Sequence, residues 1–145
     1  MKIINKKAPV SFKITEKFEA GIVLLGSEVK AIRLGHVDLG SSYVKIIGNE
    51  AFLMNAKIFP YKFSRLENYD EGRSRKLLLH KKEITTLRSK LEQKHITLIP
   101  TAIYIKDGHF KLEIALGSGK KAFEMRKDAK RKALDRASER ELRTS

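Results

Sequence analysis

The chain has 145 residues and a formal net charge of +14 at pH 7, from 31 Lys and Arg against 17 Asp and Glu. It has no cysteine, which excludes disulfides and thiolate metal sites, and no run of about 18 apolar residues that could cross a membrane. The N-terminus lacks the apolar stretch of a secretory signal, so a cytoplasmic location is expected. A surface this basic attracts polyanions, which makes nucleic acid the expected partner.

The first half of the chain predicts several short strands. Residues 11–25 alternate apolar and polar side chains and predict a strand, with Gly21 as a bend or bulge. Residues 42–47 and 51–58 predict two paired strands around the turn Gly48-Asn49.

One helix is predicted between the first two of these strands. Ser27 can cap its start and Gly35 can end it. Helical spacing then places Val29 and Ile32 on the inner face and turns Glu28 outward or to the edge of that face.

The central segment combines a polar loop with a second helix. Residues 61–76 are polar, rich in Arg, Tyr and Glu, and predict a loop. The run Leu77-Leu78-Leu79 predicts a short buried segment. Residues 81–94 predict a helix with one apolar face and charged residues elsewhere.

Residues 96–106 and 109–116 predict two strands joined by Asp107-Gly108, a strong hairpin signal. Short strands linked mostly by turns indicate a mainly β fold, a small antiparallel barrel with two or three helices. The sequence divides into a body, residues 1–116, and a basic C-terminal tail, residues 117–145.

The tail has too few large apolar residues for a core-facing stripe. It carries ten Lys and Arg against five Asp and Glu, together with good helix formers such as Ala129, Ala133 and Leu134. It is therefore expected to be largely disordered alone and to become helical once a polyanion neutralises its charge.

No catalytic or metal-binding constellation is predicted. None of the four histidines, at positions 36, 80, 95 and 109, lies three or four residues from another. The segment from Gly117 to Lys121 lacks the spacing of a nucleotide-binding phosphate loop. We expect no cofactor, no metal and no enzymatic activity.

Four blocks of sequence together resemble the SsrA-binding protein (SmpB) family. They are Phe18–Gly21 with Gly26–Arg33, Ser42–Val44 with Glu50–Leu53, Arg73–His80 and Gly119–Lys121. Each block is a weak motif, but the blocks follow one another in the family order and cover nearly the whole chain. The resemblance implies a more specific fold, an oligonucleotide-binding-type barrel.

The resemblance also implies a function. Members of this family bind the tRNA-like domain of transfer-messenger RNA and enter stalled ribosomes with it, so that the nascent peptide is tagged. It implies that the tail lies as a helix in the empty mRNA channel, near the small-subunit rRNA of the decoding centre. The protein is expected to be a monomer in solution.

Family positions for RNA binding correspond to Asn5, Glu19, Leu78 and Lys111. Asn5 can exchange hydrogen bonds with base edges or ribose. Glu19 can accept from a base amino group or orient Lys30 or Arg33, Leu78 can make a shape contact or pack in the core, and Lys111 can contact phosphate.

The basic block after the polar loop adds further candidates. Arg73, Arg75 and Lys76 suit phosphate binding, because arginine offers planar paired donors. The complete predicted RNA-binding set is Asn5, Glu19, Lys30, Arg33, Arg73, Arg75, Lys76, Leu78, Lys111, Lys120 and Lys121.

The tail departs from the family pattern at one place. Family members commonly carry Asp-Lys-Arg shortly after Gly-Lys-Lys, whereas this chain has Glu124-Met125-Arg126. These three residues and Lys130, Arg131 and Lys132 are the predicted ribosome contacts.

Two other functions remain open from sequence alone. A general single-stranded RNA-binding barrel or a ribosome-associated RNA chaperone would bind through stacking and charge with little preference for shape. A ribonuclease is suggested only by the basic charge and the available histidines.

Overall fold

The computed structural model describes residues 1–59, 69–93 and 95–120. Within these ranges the chain is mainly β, with nine strands and three helices. The helices are α1 (Ala8–Ser11), α2 (Gly26–Arg33) and α3 (Lys81–Leu91). The strands are β1 (Lys2–Ile4), β2 (Phe12–Ile22), β3 (Val37–Asp38), β4 (Tyr43–Ile47), β5 (Glu50–Met54), β6 (Lys57–Ile58), β7 (Arg75–Leu78), β8 (Ile96–Lys106) and β9 (His109–Gly119).

Seven strands form one antiparallel sheet in the order β1-β8-β4-β5-β7-β2-β9. Strand β9 also pairs with β8, so the pairings of six strands close into a ring and β1 lies on β8 outside it. Strands β3 and β6 pair separately. Ring closure leaves few free strand edges, which limits edge-to-edge association.

A single cluster of buried apolar side chains holds the ring together. Leu53, Leu98 and Leu112 contribute to it from three different strands, and each is at most 1% exposed. Helices α2 and α3 add Ile32 and Leu87, both fully buried. The helices are therefore fixed to the sheet by their apolar faces, and their polar faces remain outside.

Both predicted hairpins are confirmed. Strands β4 and β5 pair across the Gly48 turn, and β8 and β9 pair across Asp107-Gly108. Gly48 and Gly108 have φ of +60° and +76°, which glycine adopts without steric cost. The chain also has a short β1, α1 and β3 that the sequence did not predict, because each is four residues or fewer and shows no periodicity.

Of the two alternatives predicted at Gly21, a bend or a bulge, the bulge is wrong. Gly21 pairs regularly with Leu78 on one side and Lys111 on the other. The register shift in β2 lies instead between Ile14 and Glu16, where the strand faces β9.

Helix α2 begins at Gly26, two residues before the start that a Ser27 cap predicts. Leu25 is its N-terminal flanking residue, and its backbone N–H donates to Oε1 of Glu28 at 2.8 Å. Ser27 therefore does not cap the helix. Glu28 is 1% exposed and faces inward, because the buried Arg75 and the partly exposed Arg73 compensate its charge.

Two segment boundaries also differ from prediction. Strand β7 begins at Arg75, inside the predicted loop, and its alternation buries Leu77 but leaves Leu78 55% exposed. Strand β9 continues to Gly119, so the first three residues of the predicted tail belong to the sheet. Residues 60–68 and 121–145 lie outside the described ranges, as do the predicted tail helix and tail disorder. Within the described ranges, no helix is both long enough and apolar enough to cross a membrane.

Candidate nucleic-acid interface

A row of directly paired residues crosses five strands on the outer face of the sheet. Leu78 pairs with Gly21, Gly21 with Lys111, Lys111 with Tyr104, and Tyr104 with Lys2. Directly paired residues of antiparallel strands point to the same face. The row therefore gathers apolar, cationic and aromatic groups on one surface.

A depression of about 400 Å³ opens at one end of this row. We call it the outer depression, and its lining residues are Glu19, Gly21, Leu78, Leu79, His80, Glu83 and Lys111. It brings together Glu19, Leu78 and Lys111, three residues of the predicted RNA-binding set that are far apart in sequence. A carboxylate, an apolar side chain and an ammonium group thus share one concave surface.

Gly21 forms the floor of the outer depression beside Leu78. A Cβ atom at position 21 would lie 3.1 Å from Cβ of Leu78 and 3.4 Å from its Cδ1. Leu78 covers a glycine, so its side chain rests close to the backbone of β2 and stays largely in solvent. Of its two predicted roles, core packing is wrong, since the side chain is 55% exposed.

Glu19 is held at the rim of the outer depression by two residues of β8. Its Oε2 accepts a hydrogen bond from the hydroxyl of Tyr104, and its Oε1 lies 3.4 Å from Nζ of Lys106. The hydrogen bond from Tyr104 lowers the pKa of Glu19. Burial, followed by the hydrogen bond to Glu19, raises the pKa of Tyr104 to about 12. Glu19 is therefore a carboxylate, and Tyr104 a neutral donor, at physiological pH.

A second charged group, the Glu28 cluster, consists of Glu28, Tyr69, Arg73 and Arg75. Arg75 is fully buried, and its Nε donates to Oε2 of Glu28 at 2.7 Å. Its remaining donors reach the Tyr69 hydroxyl at 3.2 Å and backbone oxygens, including that of Ala56 at 2.8 Å. The Tyr69 hydroxyl donates to Oε2 of Glu28 at 3.0 Å. The cluster joins α2 to the segment that enters β7.

The charges of this cluster are compensated internally. Burial acts to raise the pKa of Glu28, but hydrogen bonds from Arg73, the Leu25 backbone and Arg75 outweigh it, so that the pKa is lowered. Burial raises the pKa of Tyr69. The prediction that Arg75 contacts phosphate is wrong for this structure, because its guanidinium is 0% exposed and every donor group is engaged inside the protein.

The other two residues of the basic block differ from Arg75. Arg73 is 30% exposed but donates from Nε to Oε2 of Glu28 at 3.1 Å. Lys76 is 49% exposed, and its Nζ lies 3.7 Å from Oε1 of Glu50 on the neighbouring strand β5. Such a surface ion pair is weak. Lys76 is thus the residue of this block that best presents its charge to solvent.

Comparison with known proteins gives a consistent family. Residues 2–144 match the family model described as SmpB protein. The chain is 47% identical over 139 residues to the SsrA-binding protein of Solidesulfovibrio magneticus, covering 96% of this chain and 90% of that protein. It is 48% identical over 132 residues to the SsrA-binding protein of Geotalea uraniireducens, covering 91% and 87%.

A solved chain from a structure described as "tmRNA-SmpB: a journey to the center of the bacterial ribosome" has a TM-score of 0.71 at 43% identity, covering 83% of this chain and 85% of that one. The chain belongs to the SmpB family. The sequence resemblance is therefore confirmed, and the fold of this SmpB-family chain is that of a solved relative.

Asn5 does not reach the outer depression. Its side chain is 7% exposed, and its amide nitrogen donates to the backbone oxygens of Pro100 at 2.8 Å and Leu39 at 3.2 Å. Its Oδ1 accepts from the backbone N–H of Lys7 at 3.3 Å. These bonds correct the prediction that Asn5 contacts a base or ribose, because the amide is already satisfied inside the protein.

The remaining predicted residues lie elsewhere. Lys30 and Arg33 are exposed on α2, where Arg33 lines a smaller depression of about 210 Å³. Glu19 does not orient them, since its described partners are on β8. Lys120 follows β9, with Nζ 3.3 Å from the backbone oxygen of Pro9. Lys121 and all of the predicted tail contacts lie outside the described residues.

Tyr104 and Gly21 belong to this surface, yet neither was predicted as a site residue. The hairpin turn at Asp107-Gly108 carried a usable signal, because a two-residue turn fixes the register that places Tyr104 opposite Lys111. The position of Gly21 beside Leu78 had no such signal, since β2 and β7 are distant in sequence. Among the described residues, no group of three or more His, Asp or Glu side chains could hold a metal ion.

Proposed function

We propose that this SmpB-family chain binds the tRNA-like domain of transfer-messenger RNA and delivers it to stalled ribosomes for nascent-peptide tagging. The observation that carries the proposal is the outer depression, where Glu19, Leu78 and Lys111 meet. The net charge of +14 supplies the long-range attraction for an RNA partner and for the ribosome.

The three side chains suit a folded RNA better than a bare strand. Lys111 is a donor for phosphate, and Glu19 is an acceptor for base N–H groups. The exposed Leu78 provides an apolar contact for a sugar or a base face. Because each group fits a different part of a nucleotide, the surface selects a fixed arrangement of backbone and base, which a folded RNA provides.

The finer architecture belongs to the same proposal. The closed ring of pairings supports an oligonucleotide-binding-type barrel. The protein acts, in this proposal, as a monomer in the cytoplasm. In this proposal the body binds transfer-messenger RNA, and the tail binds the mRNA channel near the small-subunit rRNA of the decoding centre. The task is delivery, which needs no bond-making step by the protein itself.

Competition between RNAs tests the first part. The full chain is titrated with a labelled tRNA-like transcript, and an unlabelled single strand of equal length is the competitor. We expect the tRNA-like RNA to bind at least tenfold more tightly at fixed salt. Equal competition would support a general single-strand binder instead, and cleavage of the labelled RNA would indicate a ribonuclease.

Two tail variants test the second part. One changes Lys130, Arg131 and Lys132 to Glu, and the other is Leu134→Pro, which obstructs a helix by about 3 kcal/mol at an interior position. We expect both to bind the free RNA nearly as wild type and to fail in peptide tagging in a reconstituted translation system. Parallel losses of affinity and tagging would place the tail in the RNA-binding surface.

A further inference from the structure

Tyr104 does not line the outer depression, but it contacts Glu19, which does. Its hydroxyl donates to Oε2 of Glu19, and its ring lies under Nζ of Lys2, 5.8 Å from the ring centroid. Lys2 is the next residue along the paired row, so the cation and the carboxylate hold opposite parts of one side chain. Lys2 thus contacts the ring of Tyr104, while the hydroxyl points to Glu19.

Two lysines, Lys106 and Lys111, lie near Glu19 and attract its carboxylate. Lys106 is 3.4 Å from Oε1, and Lys111 is close enough to stabilise the anion by charge alone. A direct ion pair with Lys111 would cancel the cation and the anion of the outer depression together. Among the described residues, Lys111 has no ion-pair partner, so its charge remains available.

A neutral hydrogen-bond donor can hold Glu19 in place without forming an ion pair. Tyrosine fixes a carboxylate oxygen without adding a positive charge, and the raised pKa of Tyr104, about 12, keeps the hydroxyl protonated at physiological pH. A carboxylate has about four lone-pair positions. Each oxygen of Glu19 accepts one described donor, so acceptor capacity is left for a ligand.

We propose that Tyr104 is a positioning residue of the RNA-binding surface: its hydroxyl holds the Glu19 carboxylate at the rim of the outer depression and away from Lys111. The inference rests on the proposed function. It adds that the ligand must offer N–H or O–H donors to Glu19 and a phosphate to Lys111 at the same time. Tyr104 therefore governs the preference for a folded RNA and contributes little to general attraction.

A double-mutant cycle tests the proposal on the full chain. Tyr104→Phe removes the hydroxyl and keeps the ring above which Lys2 lies. It is measured alone, beside Glu19→Ala, and in combination, with the tRNA-like transcript as the probe. Tyr43→Phe is the matched control, since Tyr43 is a solvent-exposed tyrosine on β4 and does not line the outer depression. Circular dichroism and thermal melting check that each variant is folded.

We expect Tyr104→Phe to lose about threefold to tenfold in affinity, the range for the net effect of one typical hydrogen bond. In the Glu19→Ala background the same change should cost less than twofold, and a single-stranded RNA should bind wild type and Tyr104→Phe equally. If Tyr104→Phe costs the same in both backgrounds, its hydroxyl acts independently of Glu19 and the proposal is overturned. Unchanged affinity also overturns it.

The function and the inference fail in distinguishable ways. If wild type shows no preference for the tRNA-like transcript, the proposed function fails. If wild type prefers it and Lys111→Ala weakens binding while Tyr104→Phe does not, the function stands and the positioning role is lost. Should Tyr104→Phe melt early, Lys106→Met provides the second variant, because it frees the other oxygen of Glu19 at an exposed position. Its affinity loss should likewise vanish in the Glu19→Ala background.

Discussion

The Glu28 cluster and the outer depression use the same side-chain types for opposite purposes. Each contains a glutamate that accepts a hydrogen bond from a tyrosine and has cations nearby. Glu28 is 1% exposed, and arginine, tyrosine and backbone donors occupy both of its oxygens. The Glu19 side chain is 37% exposed and keeps acceptor capacity. A saturated carboxylate stabilises the fold, whereas an unsaturated one can recognise a ligand.

This contrast predicts that changes at Glu28 act on stability and changes at Glu19 act on binding. An effect of either change on the other property would remove the distinction between the two regions.

The largest effect is expected for Glu28→Gln. It leaves Arg75 buried without its counter-charge, and removing one partner of a buried ion pair costs about 3–5 kcal/mol. Urea unfolding followed by circular dichroism measures the loss. Glu50→Gln is the control, because the Glu50–Lys76 pair at the surface is worth about 0–1 kcal/mol. A loss below 1 kcal/mol for Glu28→Gln would mean that the cluster does not hold α2 to β7.

The second effect concerns the floor of the outer depression. Gly21→Ala places a methyl group 3.1 Å from Cβ of Leu78, so the exposed leucine must shift. We expect RNA affinity to fall about tenfold, which corresponds to about 1.4 kcal/mol, without loss of stability. The matched control is Gly26→Ala, where no atom lies within 4 Å of the added carbon. Normal affinity for Gly21→Ala would exclude Leu78 from the contact surface.

The Glu28 cluster and the outer depression show which features of the protein could be predicted from its sequence and which could not. Hairpin turns, apolar periodicity and family blocks predicted the β-rich fold, α2 and α3. The family positions also selected Glu19, Leu78 and Lys111, which share the outer depression. The burial of Glu28 and Arg75 could not be predicted, because it depends on pairing between segments more than 40 residues apart. A charged residue in a basic motif gives the same sequence signal whether it faces solvent or another buried charge.

The third prediction uses the salt dependence of binding. If Lys111 contacts a phosphate, Lys111→Ala removes one counterion-release term and flattens log K against log salt by about 0.7 to 0.9. Lys45→Ala, an exposed lysine of β4, should leave the slope unchanged. Arg75→Met offers the sharper comparison: it should reduce stability and leave the slope of the folded protein unaltered. A flattened slope for Arg75→Met would indicate that Arg75 contacts a phosphate after all.

The smallest expected effect is a pH dependence of stability from Glu28. Its pKa is lowered by folding despite burial, because arginine and backbone donors favour the charged form. A group with a lowered folded pKa contributes stability that is complete above its unfolded pKa, about 4.5, and is lost as the pH falls through the folded pKa. Glutamine does not titrate, so the stability difference between wild type and Glu28→Gln should narrow steadily as the pH falls below about 4.5.

Urea unfolding of both proteins at several pH values between about 3 and 7 measures this difference. Because the two proteins differ only at position 28, the narrowing reports the protonation of Glu28. A constant difference would mean that Glu28 has the same pKa in the folded and unfolded states, so that its protonation is not coupled to unfolding. A difference that widens on acidification would reverse the sign, and would show that the cluster favours the protonated carboxyl.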